Sequence, residues 1–190
     1  FEIRKGVEFH NGKTLDANDV VYSINHHRGA DSKSPAKAVV SGITDIKADG
    51  KHTVIIEAEG GYAGIPSVLS DYHLMIIPDG YKTWETCMGT GPYKMKDYEP
   101  GVRFFSIRNP NYWKEGRPYF DEVESIGIHD TATRTNALRA GEVDVMNTPD
   151  LKTIHLLEKM PGIQVIRTPS SRHFTIPMMT DVEPYNSNDV

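Results

Sequence analysis

Cysteine is nearly absent from this sequence of 190 residues, which contains only Cys87. A single cysteine excludes a disulfide within the chain and any zinc site built from several cysteines. A nucleophilic thiol needs a neighbouring base or a helix N-terminus to lower its pKa, whereas a small apolar side chain needs neither. We therefore interpret Cys87 as a packing residue, and it predicts no cofactor or metal.

Long apolar runs are also missing. No segment approaches the roughly 18 consecutive apolar residues that cross a bilayer, and residues 1–4 (FEIR) lack the basic-then-apolar order of a signal peptide. These residues instead resemble a strand already in progress, and residues 188–190 end without a tail. We expect a globular protein without membrane-spanning segments, truncated at both ends.

Positive charge is not in excess either. The net charge is −5, and acidic and basic residues are interspersed. The sequence therefore offers neither a basic stripe for nucleic acid nor a cationic face for a membrane surface. This excludes nucleic acid as a partner.

The first 30 residues predict a strand followed by a helix. Residues 1–9 alternate like a strand, and Asn11-Gly12 supplies the positive φ angles of a tight turn. Asp16 is an N-cap candidate with a second carboxylate, Asp19, three residues later. Apolar residues then recur at helical spacing, which predicts a helix over residues 17–28.

Turn signals place the remaining elements. Asp49-Gly50 and Glu99-Pro100-Gly101 each lie between two apolar segments, which predicts two β-hairpins. Further strands are predicted at residues 74–77, 123–128, 143–146 and 163–167, and further helices at residues 65–69, 131–140 and 150–159. This order of elements is typical of a mixed fold, α+β or α/β.

A glycine-rich turn precedes the second hairpin. Gly89-Thr90-Gly91 is not a phosphate-binding loop, because no Gly-Lys-Ser/Thr follows and Pro92 lacks the N–H that such a loop uses. We expect the two glycines to permit close approach of backbone segments where the chain passes between two units.

Neither histidines nor carboxylates predict a strong catalytic or metal site. Adjacent His26 and His27 point about 100° apart on a helix and cannot share one ion, so no metal site is predicted. Glu142 and Asp144 lie two apart on a strand-like segment and would share one face of a strand. Acid and base work by this pair in a cleft near His129 makes a hydrolase the enzymatic alternative.

Four aromatic side chains lie close together in the sequence: Tyr112, Trp113, Tyr119 and Phe120. They can form a stacking platform for a ligand, or they can fasten a loop to the core. We favour the second interpretation.

Several segments in one order resemble a single family, the extracellular solute-binding proteins of family 5, which are the dipeptide- and oligopeptide-binding proteins of ABC importers. The matching segments are residues 1–13 (FEIRKGVEFHNGK), 17–23 (ANDVVYS), 89–94 (GTGPYK), 108–113 (RNPNYW), 118–123 (PYFDEV), 132–134 (ATR) and 137–145 (ALRAGEVDV). Each is similar to a characteristic stretch of that family. Together they extend across nearly the whole chain.

The resemblance implies a periplasmic-binding-protein-like fold of type II, cluster C, in which two lobes hinge around a buried ligand. It implies that residues 1–87 form an extra subdomain of the first lobe and that residues 88–180 form the main sheet domain of that lobe. Residues 181–190 would begin the crossover to the second lobe. The chain is then a truncated first lobe.

The resemblance also implies six ligand-binding residues: Met146, Asn147, Thr148, Arg172, His173 and Phe174. Asn147 and Thr148 can hydrogen-bond an extended solute, Met146 and Phe174 can form an apolar wall, and Arg172 can pair with a carboxylate. The alternative is that all six are ordinary residues at strand ends.

The function implied by the resemblance is transport without chemistry. The protein would capture a peptide or similar small solute between its lobes and deliver it to the permease subunits of an ABC transporter. We expect a monomer without a cofactor or metal that catalyses no reaction. Its location would be the periplasm, or the outer face of the membrane in a Gram-positive source. Because only one lobe is present, we expect the chain alone to bind solute weakly or not at all.

Overall fold

The computed structural model describes residues 1–83, 86–169, 179, 181–183 and 185–186. The chain forms two compact units, Phe1–Gly127 and Ile128–Val190, called unit 1 and unit 2 below. The prediction of subdomains at residues 1–87 and 88–180 concerns a two-lobed protein and stays a prediction. The mixed α and β content that the sequence predicts is confirmed by the helices and strands of unit 1.

Helix α1 (Ala17–His26) begins at the predicted cap. The carboxylate of Asp16 accepts hydrogen bonds from the backbone N–H of Asn18 at 2.9 Å and of Asp19 at 3.3 Å. The carboxylate of Asp19 accepts one in return from the N–H of Asp16, at 2.9 Å. This reciprocal capping box satisfies N–H groups that the first turn of a helix leaves without partners.

The first predicted hairpin is present as strands β1 (Ile43–Asp49) and β2 (Thr53–Ala58), which pair antiparallel. The strands and α1 enclose the larger hydrophobic core of unit 1. A 3₁₀ turn (Pro35–Lys37) joins α1 to the hairpin, and helix α2 (Ile65–Val68) follows it. The buried residues of this core are Ala17, Ile24, Ala36, Val40, Ile43, Ile46, Val54 and Leu74.

Asp19 is fully buried and joins α1 to two other segments. Its carboxylate lies 2.6 Å from Nζ of Lys13 and accepts a hydrogen bond from the N–H of Asp79 at 2.7 Å. One helical turn later, Oγ of the buried Ser23 accepts a hydrogen bond from the N–H of Ile77 at 2.9 Å. Residues 77–79 are therefore held by side chains of α1.

This arrangement explains why the predicted strand at residues 74–77 is absent. Leu74 is buried, as the apolar pattern suggests, but the backbone N–H of Ile77 bonds to a serine side chain instead of a neighbouring strand. Residues 1–9 also form no continuous strand. Glu2 and Glu8 each make an isolated β-bridge, and Gly6, at φ +75°, turns the chain between them.

His27 follows α1 and is 9% exposed. Its Nδ1 lies 2.6 Å from Oγ of Ser34. Burial lowers the pKa of His27 below the usual value, and the neighbouring His26 and His73 lower it further, because each of these effects disfavours the charged imidazolium. The neutral form of His27 is therefore more strongly favoured in the folded protein than in the unfolded chain.

The second predicted hairpin is also confirmed. Strands β3 (Tyr93–Glu99) and β4 (Arg103–Arg108) pair antiparallel, and β5 (Glu122–Ile126) adds to the other edge of β4. Gly127 follows β5, where a Cβ atom would lie 2.4 Å from the carbonyl oxygen of Gly101. Only glycine fits this approach without displacing backbone.

Asn109 ties the end of β4 to the glycine-rich turn. It is 2% exposed, its side-chain amide donates to the carbonyl of Gly91 at 3.0 Å, and its own N–H donates to the carbonyl of Pro92 at 2.8 Å. The predicted reason for the glycines is wrong, however. Apart from the glycine itself and the residues directly before and after it, no atom of the described residues lies within 4 Å of a Cβ built at Gly89 or Gly91.

Two further expectations concern Cys87 and membrane-spanning segments. Cys87 is exposed, so its interpretation as a packing residue is wrong. The longest helices in the described ranges, α1 and a later helix at Thr131–Ala140, have ten residues each. No helix there is long and apolar enough to cross a membrane.

Candidate functional site

Unit 2 opens with helix α3 (Thr131–Ala140), with the bounds that the sequence predicts. The side chain of Asp130 accepts hydrogen bonds from Oγ1 of Thr133 at 2.6 Å and from its N–H at 2.7 Å. Both bonds stabilise the ionised carboxylate and therefore lower the pKa of Asp130. The bond from the hydroxyl has the larger effect, and the bond from the N–H comes next. At the other end Gly141 adopts φ +74°, and the N–H of Glu142 bonds to the carbonyl of Ala137 at 2.9 Å.

The segment that carries three of the predicted ligand-binding residues follows α3 directly. Met146 is half-buried, whereas Asn147 and Thr148 are exposed. The predicted strand at residues 143–146 is wrong, since no described strand pairs with it. A strand needs a neighbour for its backbone hydrogen bonds, so the apolar pattern alone does not make one. The segment is instead an irregular connection.

Thr148 has an unusual backbone conformation. Its φ is +50°, and among the described residues it is the only non-glycine residue with a positive φ. A β-branched side chain is strained there, at a cost of about 1–3 kcal/mol. Such a conformation persists only where surrounding contacts hold it.

Arg134 supplies contacts of this kind from α3. Its Nη1 donates to the carbonyl oxygens of Ile128 at 2.7 Å and His129 at 3.1 Å. Its Nη2 donates to Oγ1 of Thr131 at 3.1 Å and to the carbonyl oxygen of Thr148 at 3.4 Å. One guanidinium thus joins the start of α3 to the predicted ligand-binding segment.

Arg134 lies in the family-like segment of residues 132–134, where no role was predicted for it. A signal was present. Arg134 is the fourth residue of α3, where the positive end of the helix dipole disfavours a cation. A cation in that position indicates that other acceptors hold it.

Helix α4 (Ile154–Leu157) is shorter than predicted. The carboxylate of Asp150 bonds to the N–H of Lys152 at 2.9 Å, which makes a local turn instead of a helix cap. A groove of about 510 Å³ lies between α3 and α4, with the buried Leu157 and the half-buried Met160 among its lining residues. Met146, Asn147 and Thr148 do not line it.

The other three predicted ligand-binding residues, Arg172, His173 and Phe174, lie outside the described residues. Their position relative to Met146–Thr148 therefore stays a prediction. The predicted strand at residues 163–167 does not form.

The structure does not bring together the residues of the hydrolase alternative as the sequence suggested. Glu142 and Asp144 are exposed and lie on no strand, so the shared strand face that suggested joint acid and base work does not exist. His129 is exposed too. Across the described part of the chain, no three side chains of histidine, cysteine, aspartate or glutamate cluster as ligands of a metal ion.

The four aromatic side chains near residues 112–120 do not fasten a loop to the core of unit 1 in the way that the sequence analysis favoured. Tyr119 and Phe120 are 65% and 69% exposed, and Trp113 lies at the surface beneath the guanidinium of Arg4, 4.6 Å from the ring centroid. Only Tyr112 is half-buried.

The comparisons with known proteins agree on one family. The family model described as "Bacterial extracellular solute-binding proteins, family 5 Middle" matches residues 1–190. The oligopeptide-binding protein AppA of Bacillus subtilis is 27% identical over 179 residues, which cover 87% of this chain and 32% of AppA. The chain thus spans about a third of the length of that curated relative.

Solved structures of similar proteins share the fold. The periplasmic binding protein AgaA of A. tumefaciens R10, in complex with agropinic acid, matches with a TM-score of 0.78 and 25% identity over 85% of this chain and 34% of AgaA. DppA of Helicobacter pylori, in complex with the peptide STSA, matches with a TM-score of 0.73 and 26% identity over 85% of this chain and 37% of DppA. The predicted type II periplasmic-binding-protein fold is confirmed.

Proposed function

Because the chain belongs to family 5 of the bacterial extracellular solute-binding proteins, we propose that it forms part of the substrate-binding component of an ABC importer. That protein captures a peptide or a similar small solute and delivers it to permease subunits in the membrane. The match of the family model to every residue from 1 to 190 carries this proposal.

The solute class follows from relatives of different specificity. By their names, AppA binds oligopeptides, DppA is in complex with a tetrapeptide and AgaA is in complex with agropinic acid. A peptide presents a carboxylate and amide groups, and agropinic acid is by its name an acid. Asn147 and Thr148 offer exposed polar side chains to such groups, and Met146 beside them offers an apolar contact. Arg172, His173 and Phe174 are proposed to bind the same ligand.

The mechanism that fits this family is closure of two lobes over the solute. Residues 1–87 and 88–180 belong to one lobe, and residues 181–190 lead toward the other. The solute binds the closed form more tightly than the open form and therefore shifts the population toward the closed form, which the permease recognises. No covalent bond is made or broken. The protein acts as a monomer in the periplasm or on the outer face of the membrane.

The test uses the full-length protein that contains this chain. Native mass spectrometry of that protein, purified without added ligand, is expected to detect a co-purified solute of peptide-like mass. Isothermal titration with the tetrapeptide Ser-Thr-Ser-Ala and with agropinic acid then separates the two solute classes. The absence of a co-purified solute, together with no heat from either compound, would contradict the proposal.

A second measurement tests the need for both lobes. The chain of residues 1–190 is expected to bind Ser-Thr-Ser-Ala at least about a hundredfold more weakly than the full-length protein, because a ligand held by one wall keeps only part of its contacts. Micromolar peptide binding by residues 1–190 would show that this chain contains a complete site.

A further inference from the structure

We propose that Arg134 is a positioning residue for the solute-binding segment, acting through the carbonyl oxygen of Thr148. The inference rests on the proposed function, since Arg134 matters for binding only if residues 146–148 contact the solute. It assigns no contact between Arg134 and the solute itself.

The guanidinium is anchored at the start of α3. Three of its four acceptors belong to Ile128, His129 and Thr131, at 2.7 to 3.1 Å. The fourth, the carbonyl of Thr148, is 14 residues away in the sequence. Arginine suits this geometry because its planar group carries five N–H donors in a fixed arrangement, whereas lysine provides a single ammonium.

The conformation of Thr148 requires such an anchor. A β-branched residue at φ +50° is strained, and the chain around it is irregular and largely exposed. A hydrogen bond to the carbonyl of Thr148 fixes the peptide plane that follows this residue. It therefore favours the left-handed conformation over the extended one, and it sets the direction in which Asn147 and Thr148 meet a ligand.

The expected effect on affinity follows from the fraction of molecules in which this segment has the binding conformation. If the segment adopts the binding conformation only part of the time, the apparent dissociation constant rises in inverse proportion to that fraction. When loss of the arginine contacts leaves about a tenth of the molecules in the left-handed conformation, binding weakens about tenfold. Folding of unit 2 need not change by the same amount.

The first experiment compares Arg134→Lys with Arg139→Lys in the full-length protein. Arg139 is exposed in the last turn of the same helix and serves as the matched control. Titration with Ser-Thr-Ser-Ala is expected to show about tenfold weaker binding for Arg134→Lys and unchanged binding for Arg139→Lys. Thermal unfolding of both variants shows whether they are folded at the temperature of the titration. Equal affinities in the two variants would overturn the proposal.

The second experiment separates positioning from a general structural role. Glycine adopts positive φ without strain, so Thr148→Gly no longer needs the arginine to hold the conformation. In the Thr148→Gly background, Arg134→Lys is expected to weaken binding about threefold or less, in place of tenfold. A purely structural role predicts the same factor in both backgrounds, and that result would also overturn the proposal.

A third measurement needs no solute. In crystal structures of the full-length parent and of Arg134→Lys, Thr148 is expected at positive φ in the parent and outside the left-handed region in the variant. The same φ in both would refute the role of Arg134, even if the peptide binds. If the parent does not bind the tetrapeptide, peptide recognition under the proposed function fails, and the φ of Thr148 alone decides the positioning role.

Discussion

Replacing Asp19 with asparagine tests whether one buried carboxylate organises the first unit. Asparagine has nearly the same shape, but it presents an NH₂ group where aspartate presents a second oxygen, and it carries no charge. Asp19 accepts hydrogen bonds from Nζ of Lys13 and from the N–H groups of Asp16 and Asp79. The single amide oxygen of an asparagine at this position cannot satisfy all three donors.

The expected loss in the free energy of unfolding follows from these partners. Removing one member of a buried ion pair costs about 3–5 kcal/mol, and leaving a buried donor without an acceptor costs about 1–3 kcal/mol. The Lys13 side chain is 38% exposed, whereas that of Asp19 is 0% exposed, so water can solvate the freed ammonium. The expected loss therefore lies near the lower limit, at about 3 kcal/mol.

Thermal unfolding followed by circular dichroism at pH 7 measures this loss. For a chain of this length, the melting temperature of Asp19→Asn is expected to fall by about 6–12 °C. The control is Asp45→Asn, because the Asp45 side chain is 54% exposed and lies 3.9 Å from Nζ of Lys47. An exposed pair of this kind contributes about 0.5 kcal/mol or less. If the two variants melt within about 1 °C of each other, the buried carboxylate does not organise the unit.

Three further predictions concern stability. Because the pKa of His27 lies below its usual value of about 6.5, the unfolded chain takes up the proton first as the pH falls. Stability is therefore expected to decline below about pH 6.5, and less steeply in His27→Gln, as urea titrations at several pH values would show. Asn109→Ala removes a buried amide that bonds to the glycine-rich turn, and its urea midpoint is expected to correspond to a loss of about 2 kcal/mol. Gly127→Ala brings a Cβ atom against a carbonyl oxygen at 2.4 Å, and it is expected to lose about 1–3 kcal/mol in the same assay.

Asn109→Ala and Gly127→Ala each have a matched control in the same chain. Asn111→Ala changes an exposed amide and is expected to cost less than Asn109→Ala. Gly42→Ala places its Cβ in open space and is expected to be nearly neutral, in contrast to Gly127→Ala. An equal loss within either pair would contradict the packing described above. For His27, an unchanged pH slope in the glutamine variant would show that other groups control the acid response.

The sequence predicts the locally encoded parts of the fold well. The cap formed by Asp16 and Asp19, the end of α3 at Gly141 and the turns of both hairpins each depend on residues within a few positions of one another. A short stretch of chain therefore contains the whole signal.

The strands predicted at residues 74–77, 143–146 and 163–167 fail for a common reason. Apolar alternation indicates that a segment can be half-buried, but not which groups will satisfy its backbone. At Ile77 the partner is a serine hydroxyl on α1, 54 residues away in the sequence. No local pattern specifies such a contact.

The sequence predicts which segment forms the candidate site, but not the backbone conformation of that segment. The resemblance to the family indicates residues 146–148, and the structure places them between α3 and α4. The left-handed conformation of Thr148 and its contact with Arg134 depend on tertiary structure. They could not be read from the sequence, apart from the unfavourable position of a cation near the start of a helix.

The bond between Asp19 and Asp79 closes a loop of 60 residues, whereas the capping box of α1 closes within three. Closing a long loop carries a larger entropic cost, so we expect the helix and the hairpins to form before this bond. Interactions that form after the transition state slow unfolding and leave the folding rate nearly unchanged. The bond from Asp79 to the buried carboxylate therefore affects how long the folded unit survives, for example against a protease, more than how quickly it folds.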